Sequence, residues 1–323
     1  MIYPIKFHSI LKQTIWGGDK IKQLKQITDR QSSVGESWEI SAVEGFESVV
    51  ANGIYKGYDL PRLVRVMKEE LVGADNYARF GDRFPLLVKF IDAHDDLSIQ
   101  VHPDDSLAMK RHHCLGKTEM WYVLGVDKGA HLIAGFSRKI TPKQYREMVT
   151  DGTFADALRT YYVRPGEVYY IPAGRVHSLG KGTMVAEVQE TSDITYRIFD
   201  YNRKDKDGNQ RQLHVAEATD AIDFDDIAGE AKKDYQLTDN EPVELVSSPK
   251  FTTSVYHLTE KVTCDYSDLD SFVILICTEG TCLLVLDESK EIIRAGETVL
   301  LPALTKEIQF IPENKATLLE VYT

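Results

Sequence analysis

The chain has 323 residues, about twice the length of a typical domain, so we expect two domains or one large domain with an appendage. Hydrophobic residues make up 43% and charged residues 27% of the chain, and no apolar run is long enough to cross a bilayer, which excludes a membrane span. The 38 basic and 50 acidic residues give a formal charge of -12, which argues against nucleic acid and anionic lipid as partners.

The four cysteines, Cys114, Cys264, Cys277 and Cys282, contain no CxxC pair, and the N-terminal residues lack the basic and apolar pattern of a signal peptide. We therefore expect a cytoplasmic protein whose thiols stay reduced. Buried, inert thiols are favoured over a disulfide framework or a thiolate metal site.

The first 200 residues predict mainly strands with two helical insertions. Segments rich in Val, Ile, Tyr and Phe and bounded by Gly, Pro and Asp predict strands at 36–43, 46–50, 85–91, 97–101, 119–126, 130–135, 166–171 and 183–190. Residues 59–73 and 141–160 carry apolar side chains at helical spacing, with Asp59 as a candidate N-cap. The insertions are expected at about residues 55–80 and 141–160.

The composition changes after residue 203. The polar, charged stretch from there to about residue 242 is interpreted as a solvated linker. The remaining chain predicts short strands at 251–257, 271–277, 281–286, 290–294, 297–301, 307–311 and 316–322. We expect a catalytic domain over residues 1–240 and an all-β domain over residues 241–323.

An internal repeat links the two halves. Residues 165–178 (PGEVYYIPAGRVHS) align with residues 295–308 (AGETVLLPALTKEI), and the preceding segments 119–135 and 271–286 are interpreted as hairpins. The spacing from Gly166 to His177 resembles the second signature of the cupin superfamily, a jelly-roll barrel. The predicted fold is therefore mainly β, with two jelly-roll (cupin-like) β-barrels and helical insertions in the N-terminal half. Glu307 replaces His177 in the second copy, which is expected to lack a metal site.

The segment LSIQVHPDD alternates apolar and polar residues, so a strand there places Ser98, Gln100 and His102 on one face. A row of polar side chains is also typical of the solvent-exposed face of an ordinary sheet. Glu119 and His177 on neighbouring strands add a carboxylate and a second imidazole. Two imidazoles, one carboxylate and one amide oxygen suit a divalent metal such as zinc with a position open to substrate. His112 and His113 are adjacent, so their side chains diverge and a surface or core role is favoured.

Six blocks of sequence resemble the type I mannose-6-phosphate isomerase (phosphomannose isomerase) family in its short bacterial form. They are LKQTIWGG (11–18), GESWEIS (35–41), PLLVKFIDAHDDLSIQVHPDD (85–105), GKTEMWYVL (116–124), PGEVYYIPAGRVHSLGKG (165–182) and VAEVQETSDITYRIFDYNR (185–203). The resemblance covers nearly all of residues 1–205. It implies a zinc-dependent aldose–ketose isomerase, with one zinc ion per chain, that interconverts mannose 6-phosphate and fructose 6-phosphate. A monomer and a homo-oligomer are both compatible with the sequence.

The resemblance also implies roles for individual residues. The family's zinc ligands fall on Gln100, His102, Glu119 and His177, its catalytic arginine on Arg197, its active-site lysine on Lys117, a pocket glutamate on Glu187, and phosphate-binding positions on Ser98 and Arg203. Longer family members carry lysine where this chain has Arg203, and the long helical insertions of eukaryotic members are missing here.

Aldose–ketose isomerisation removes a proton from a carbon next to a carbonyl and passes through an enediolate. A zinc ion stabilises the developing charge, and Arg197 and Lys117 add positive potential. Lys117, Glu187, Asp193 and a water molecule on the metal are all chemically able to act as the base. Of the tryptophans, Trp16 or Trp38 is expected to reach the sugar. The acidic total does not oppose an anionic substrate, because many acidic residues lie in the linker and the C-terminal half.

Two alternatives belong to other functional classes. A cupin oxygenase would hold iron(II) with two histidines and a carboxylate, but the extra ligand Gln100 and the basic pair Lys117 and Arg197 disfavour it. A non-catalytic sugar-binding double barrel would be expected to lack a ligand in the first barrel, yet all four are present.

Overall fold

The computed structural model describes residues 2–28, 33–204, 207–226 and 231–323. Strands dominate these ranges, which confirms the predicted fold class. The strands are β1 (Ile5–His8), β2 (Ile10–Lys12), β3 (Glu36–Ile40), β4 (Ala42–Val43), β5 (Phe46–Glu47), β6 (Val49–Val50), β7 (Leu86–Ala93), β8 (Ile99–Val101), β9 (Glu119–Val126), β10 (His131–Phe136), β11 (Leu158–Tyr162), β12 (Val168–Ile171), β13 (His177–Leu179), β14 (Thr183–Glu190), β15 (Tyr196–Phe199), β16 (Lys232–Lys233), β17 (Pro242–Ser247), β18 (Thr252–Leu258), β19 (Val262–Asp265), β20 (Val273–Leu286), β21 (Ser289–Arg294), β22 (Thr298–Leu301) and β23 (Glu307–Tyr322).

Helices occupy a smaller share of the chain. They are α1 (Lys20–Leu24), α2 (Leu60–Met67), α3 (Glu69–Val72), α4 (Ala74–Phe80), α5 (Asp105–His112), α6 (Pro142–Asp151) and α7 (Val215–Ala221), with a 3-10 helix at Phe154–Ala157. No helix in the described ranges is both long enough and apolar enough to span a bilayer.

The N-terminal barrel is a sandwich of two antiparallel sheets. One sheet has the order β16-β12-β9-β14-β7-β3-β2, and the other has the order β11-β10-β13-β8-β15. Val123 and Val185 from the first sheet and Leu132 and Leu179 from the second belong to one buried cluster. The apolar faces of the two sheets therefore pack against each other, as in a jelly roll.

The C-terminal barrel is built around two long strands. Strands β20 and β23 pair along most of their length, in a sheet of order β17-β18-β23-β20-β22-β1-β6, to which β19 and β21 are added. The interpretation of residues 271–286 as a hairpin is wrong, because they lie within the single strand β20 or just before it. Gly280, at φ 78°, and the register shifts beside it let the strand bend and continue.

The repeat predicted between the halves has the same local geometry in both copies. Gly166 and Gly296 have φ of 85° and 84°, which glycine adopts without strain. The amide of Gly166 donates to Val123 O at 2.8 Å, and that of Gly296 donates to Cys277 O at 2.9 Å. The two turns therefore start β12 and β22 in equivalent positions.

A shared core joins the two barrels. Phe84, Phe90 and Val188 of the N-terminal half lie in one buried cluster with Ile274 and Leu319 of the C-terminal half. The rings of Phe84 and Phe272 are 4.5 Å apart. The outer face of the seven-stranded sheet is thus covered by the second barrel rather than by solvent.

The first helical insertion begins and breaks at identifiable residues. Asp59 caps α2 by accepting a hydrogen bond from the amide of Arg62 at 2.7 Å. The predicted helix over 59–73 is interrupted at Lys68, whose φ of 51° is incompatible with a continuous helix, so α2 and α3 are separate.

The second predicted helix is shorter than expected. A capping box at Thr141 starts α6, and Gly152, in the left-handed conformation, ends it. The prediction is wrong for Leu158 and the residues that follow, which belong to β11.

The interpretation of the polar stretch after residue 203 as a solvated linker is wrong in part. Helix α7 lies within it, and the buried Ala218 packs into a cluster with Ile99 and Tyr196. Tyr145 of α6 donates a hydrogen bond to Val215 O at 3.1 Å. Residues 205–206 and 227–230 of this stretch lie outside the described residues. The four cysteines are free thiols, and Cys114 is the one that is only partly buried.

Candidate active site and metal centre

Four side chains converge where the two sheets of the N-terminal barrel face each other. His177 and Gln100 are direct neighbours on the antiparallel strands β13 and β8, so their side chains share a face. Glu119 opens β9 in the opposite sheet, and His102 follows β8 directly. The predicted set of Gln100, His102, Glu119 and His177 is therefore brought together by the fold.

The centre of this set is compact and buried. Candidate ligand atoms of His102, Glu119 and His177 lie within 4.8 Å of one another. His177 Nε2 lies 3.2 Å from Glu119 Oε1, and His102 Nε2 lies 3.5 Å from Glu119 Oε2. Glu119 Oε1 is buried without a hydrogen-bond donor, whereas Oε2 faces the Lys117 ammonium at 3.1 Å. Buried carboxylate oxygens without donors are costly unless a cation faces them.

Backbone carbonyls fix the orientation of both imidazoles. His102 Nδ1 lies 2.9 Å from Ile194 O, and His177 Nδ1 lies 2.8 Å from Arg175 O. Since a carbonyl only accepts, each Nδ1 carries the proton and each Nε2 keeps its lone pair. The two lone pairs face the Glu119 carboxylate, which is the arrangement of histidine metal ligands with their outer partners.

The electrostatics of the centre favour neutral histidines. Burial lowers the pKa of His177 to about 4 and holds the pKa of His102 well below its ordinary range. Burial also raises the pKa of the Glu119 carboxyl, and the Lys117 ammonium opposes that shift. A metal ion would oppose it further.

Gln100 lies beside this group, but its amide nitrogen rather than its amide oxygen faces His177. Gln100 Nε2 lies 3.3 Å from His177 Nε2, while Gln100 Oε1 accepts a hydrogen bond from Ser98 at 3.1 Å. A half-turn about the last side-chain bond exchanges the amide oxygen and nitrogen. The donor set of two imidazole nitrogens, one carboxylate and one amide oxygen then fits a divalent transition metal.

Lys117 adjoins the centre on the side open to the cavity. Its Nζ lies 3.1 Å from Glu119 Oε2 and 3.2 Å from His102 Nε2. It precedes β9 rather than lying on it, yet its side chain reaches the same site as Glu119.

A cavity of about 310 Å³ leads to this centre. It is lined by Trp16, Glu36, Lys89, Ile91, Leu97, Ser98, Gln100, Lys117, Trp121, Leu179, Glu187, Asp193, Thr195, Arg197, Arg211 and His214. Of the predicted site residues, Arg203 alone lies neither in this lining nor in the His102, Glu119 and His177 group. Trp16 is on the wall, whereas Trp38 is buried outside the lining, beside the Lys12 ammonium.

Glu187 is held by two side chains from neighbouring strands. Trp121 Nε1 donates to Glu187 Oε2 at 2.8 Å, and Lys89 Nζ lies 3.2 Å from Glu187 Oε1. Burial opposes the charged form of Glu187, but Lys89 and Lys117 outweigh it and lower its pKa. Glu187 is therefore a fixed carboxylate whose partners are Lys89 and Trp121.

Arginines gather at one end of the cavity around a single carboxylate. Arg211 donates to both oxygens of Asp200, at 2.8 and 2.5 Å, and Arg203 donates to Asp200 Oδ1 at 2.5 Å. Arg203 also donates to Asp96 O. Arg197 donates to Gln212 O at 3.0 Å, and burial followed by the charge of Arg211 lowers its pKa.

Sequence reasoning missed Lys89, Glu36, Arg211 and His214. Lys89 had a usable signal, because it is the charged residue in the middle of the otherwise apolar run LLVKF. Arg211 and His214 lie in the stretch interpreted as a linker. His112 is bonded to the Tyr196 hydroxyl at 2.8 Å and, like His113, lies outside the cavity lining.

A jelly-roll barrel with a buried His, Glu and His centre at the end of a polar cavity defines a cupin-type enzyme. The family described as phosphomannose isomerase type I, catalytic domain, matches residues 5–130. A mannose-6-phosphate isomerase of Streptococcus mutans is 34% identical over 310 residues, which cover 96% of each chain. Mannose-6-phosphate isomerase ManA of Bacillus subtilis is 34% identical over 301 residues, 93% of each chain. The crystal structure of the Bacillus subtilis mannose-6-phosphate isomerase superposes with a TM-score of 0.89 at 31% identity, covering 99% of this chain and 100% of that one.

These relatives cover almost the whole chain, and the chain belongs to the type I phosphomannose isomerase family.

Proposed function

We propose that the chain interconverts mannose 6-phosphate and fructose 6-phosphate through an enediolate, with one Zn²⁺ ion held by Gln100, His102, Glu119 and His177. The observation that carries the proposal is the buried Glu119 carboxylate, whose Oε1 has no hydrogen-bond donor and whose two oxygens face two imidazole lone pairs at 3.2 and 3.5 Å. Family membership supports the substrate pair. Bound there, the metal would act as a Lewis acid toward the substrate oxygens.

The ligand set leaves the centre with a net positive charge, because Glu119 is the single anionic ligand. Zinc favours nitrogen donors over the oxygen-only shells of calcium and magnesium, and an incomplete protein shell leaves room for substrate. Lys117 and Arg197 line the same cavity and add positive potential where the enediolate charge develops.

Proton transfer between the two carbons falls to Lys117 in this proposal. Glu187, with its two oxygens facing Lys89 and Trp121, is a poor proton acceptor. Lys117 lies at the inner end of the cavity, 3.1 Å from Glu119 Oε2. Lys117 would take the proton from one carbon as a neutral amine, stand as an ammonium beside the enediolate, and return that proton to the other carbon. Glu187 orients Trp121 and balances Lys89. Trp16 forms part of the wall against the sugar.

The phosphate group would bind at the arginine end of the cavity. Arg197, Arg203 and Arg211 surround one carboxylate, Asp200, which leaves an excess of positive charge. Arg197 and Arg211 line the cavity, with Ser98 and His214 beside them. Arg203 acts through Asp200 in this arrangement, because both Arg203 and Arg211 donate to that carboxylate. Guanidinium groups suit phosphate because they donate two parallel hydrogen bonds.

A coupled assay of mannose 6-phosphate conversion tests the function directly. We expect turnover in the isolated protein, loss of turnover after treatment with a chelator, and recovery when Zn²⁺ is added back. Turnover that survives complete metal removal, or that stays absent with zinc restored, would contradict the proposal. Iron in the isolated protein together with oxygen uptake would favour an oxygenase instead.

The phosphate site is tested by Arg211→Met. The variant should raise KM for mannose 6-phosphate roughly 10- to 100-fold, the range of one lost charge-assisted contact. Inhibition by inorganic phosphate should weaken in parallel. Arg138→Met, which changes an exposed arginine outside the cavity lining, is the matched control. An unchanged KM in Arg211→Met would move the phosphate site away from this end of the cavity.

A further inference from the structure

A lysine of the C-terminal barrel reaches into the N-terminal one. Lys250 lies in the turn between β17 and β18, which Ser248 holds rigid. Ser248 Oγ accepts from the amides of Lys250 and Phe251 at 3.2 Å each, and it donates to Phe251 O at 2.9 Å. Phe251 is buried in the core shared by the barrels. The turn therefore projects Lys250 from a fixed base.

Two carboxylates of the N-terminal barrel share the Lys250 ammonium. Lys250 Nζ lies 2.8 Å from Glu190 Oε1, at the end of β14, and it forms an ion pair with Asp105 at the start of α5. Burial raises the pKa of Glu190, and the charge of Lys250 opposes that shift. Removal of the lysine would take away the ion-pair partner that the two carboxylates share.

The same carboxylates hold the backbone on both sides of Lys117. Asp105 Oδ1 accepts from the amide of Gly116 at 2.7 Å, and Glu190 Oε2 accepts from the amide of Thr118 at 2.8 Å. The amide of Lys117 itself donates to Pro103 O at 3.1 Å.

Gly116 makes this packing possible. A Cβ at that position would lie 2.6 Å from backbone atoms of Asp104 and Asp105, closer than real Cβ atoms come to a neighbouring backbone. The segment that enters β9 is thus clamped tightly, and Lys117 is its central residue.

We propose that Lys250 is a positioning residue for Lys117. The second barrel then takes part in catalysis by holding the backbone of residues 116–118, the active-site loop, in place. Its ammonium keeps Asp105 and Glu190 charged and in place, and these two carboxylates fix the amides that flank Lys117. The inference rests on the proposed function, since it assumes that Lys117 serves the reaction.

The experiment compares Lys250→Met, Lys250→Arg and the control Lys261→Met, an exposed lysine on the same barrel. Lys250→Met should lower kcat at least tenfold with KM within twofold of wild type and zinc content unchanged. Lys250→Arg should restore most of kcat, because it keeps the charge. In a Lys117→Met background, Lys250→Met should cause no further loss of the residual kcat.

A second readout needs no turnover. Hydrogen–deuterium exchange in peptides that span residues 113–120 should be at least tenfold faster in Lys250→Met than in wild type, and unchanged in Lys261→Met. If Lys250→Met does not fold, Lys250→Gln is compared in the same way.

Unchanged exchange at residues 116–118, or an unchanged kcat, would overturn the inference. A loss of thermal stability with kcat per folded molecule intact would also overturn it, because it would indicate a merely structural role. An inactive wild-type protein would count against the proposed function alone, since the exchange comparison would still decide whether Lys250 holds the loop.

Discussion

The two barrels carry a glutamate at the same point of the fold. Glu187 on β14 lies opposite Trp121 on β9, which lies opposite Tyr169 on β12, three residues after Gly166. Glu320 on β23 lies opposite Leu275 on β20, which lies opposite Val299 on β22, three residues after Gly296. Their surroundings differ. The residue opposite Glu187 on β7 is Lys89, and the residue opposite Glu320 on β18 is Ser254.

The charge state of each glutamate follows from these partners. Lys89 and Lys117 outweigh burial and lower the pKa of Glu187. In the described part of the chain no ion pair joins Glu320 to a lysine, so burial raises its pKa, and the hydroxyls of Tyr266 and Tyr256 only reduce the shift. Tyr266 donates to Glu320 at 2.5 Å. One position in the fold thus carries a carboxylate in a polar cavity and, in the second barrel, a carboxyl group packed among tyrosines.

Within the described residues the second barrel has no counterpart of the candidate metal centre, for two separate reasons. The register places Val273 opposite Leu301, where Glu119 lies opposite Ile171 in the first barrel, so an apolar side chain replaces the carboxylate. Glu307 is exposed, whereas His177 is buried. A strand shifted by one residue turns its side chains to the other face, and here Ile308 points inward instead.

The largest effect is expected from substitutions at the repeated ligand position. His177→Ala should abolish both zinc retention and isomerase activity, because it removes one of two buried imidazole donors. Glu307→Ala should leave both nearly unchanged. Metal analysis of the purified variants, with turnover measured alongside, makes the comparison. A His177→Ala protein that keeps one zinc ion per chain would break the assignment of the centre.

Arg197 has no counterpart among the described residues of the second barrel. Its strand β15 pairs with β8, whereas within the described residues β19, the equivalent of β8, pairs with β23 alone. Arg197→Ala should keep the metal and lower kcat about 100-fold or more, the range for one lost charge-stabilising donor. Steady-state kinetics and zinc content test this. Global unfolding of the variant would instead assign Arg197 a structural role.

Lys89→Ser gives Glu187 the neighbour that Glu320 has. Removing one partner of a buried ion pair leaves the other charge uncompensated, at a cost of about 3–5 kcal/mol in unfolding free energy. Urea unfolding followed by tryptophan fluorescence measures the loss. The double variant Lys89→Ser with Glu187→Gln should recover part of it. A single variant as stable as wild type would mean that the pair is solvated in solution.

Glu320→Gln should have the smallest effect, and its sign depends on pH. Because burial raises the pKa of Glu320 above its ordinary value of 4.5, its contribution to stability is complete below that value and is lost as pH rises through the raised pKa. The variant should therefore match or exceed wild type in stability at pH 8 and be about 1 kcal/mol less stable at pH 4. Thermal unfolding at the two pH values tests the crossover. Parallel pH dependences in the two proteins would contradict it.

The part of the site that could be predicted is the part carried by regular strands. The alternation of apolar and polar residues along β8 predicted that Ser98, Gln100 and His102 share one face. The cupin-like spacing that begins at Gly166 predicted His177 as a further ligand. The arginine end could not be predicted in the same way. Arg211 and His214 lie among polar residues, and the few apolar side chains there show no helical or strand periodicity. Helix α7 is ordered by its packing against β15 and α6.

The long strands of the second barrel were missed for a related reason. Glycine is typical of turns, so the sequence around Gly280 predicted two short strands, 271–277 and 281–286, instead of the single strand β20. A bulge accommodates the glycine without ending the strand, and only pairing with β23 across the whole length distinguishes the two outcomes.

The pairing of β1 with β22 joins two strands that are far apart in the sequence. Ile5 lies opposite Leu300 and Lys6 opposite Val299, so during synthesis these two residues have no strand partner until β22 has been made. Until then β1 can pair only with β6, at Phe7 and His8, and its Ile5 and Lys6 form an open edge that can join the wrong strand. Contacts over such sequence distances slow folding, so we expect the formation of β22 to set the pace at which this edge of β1 becomes protected.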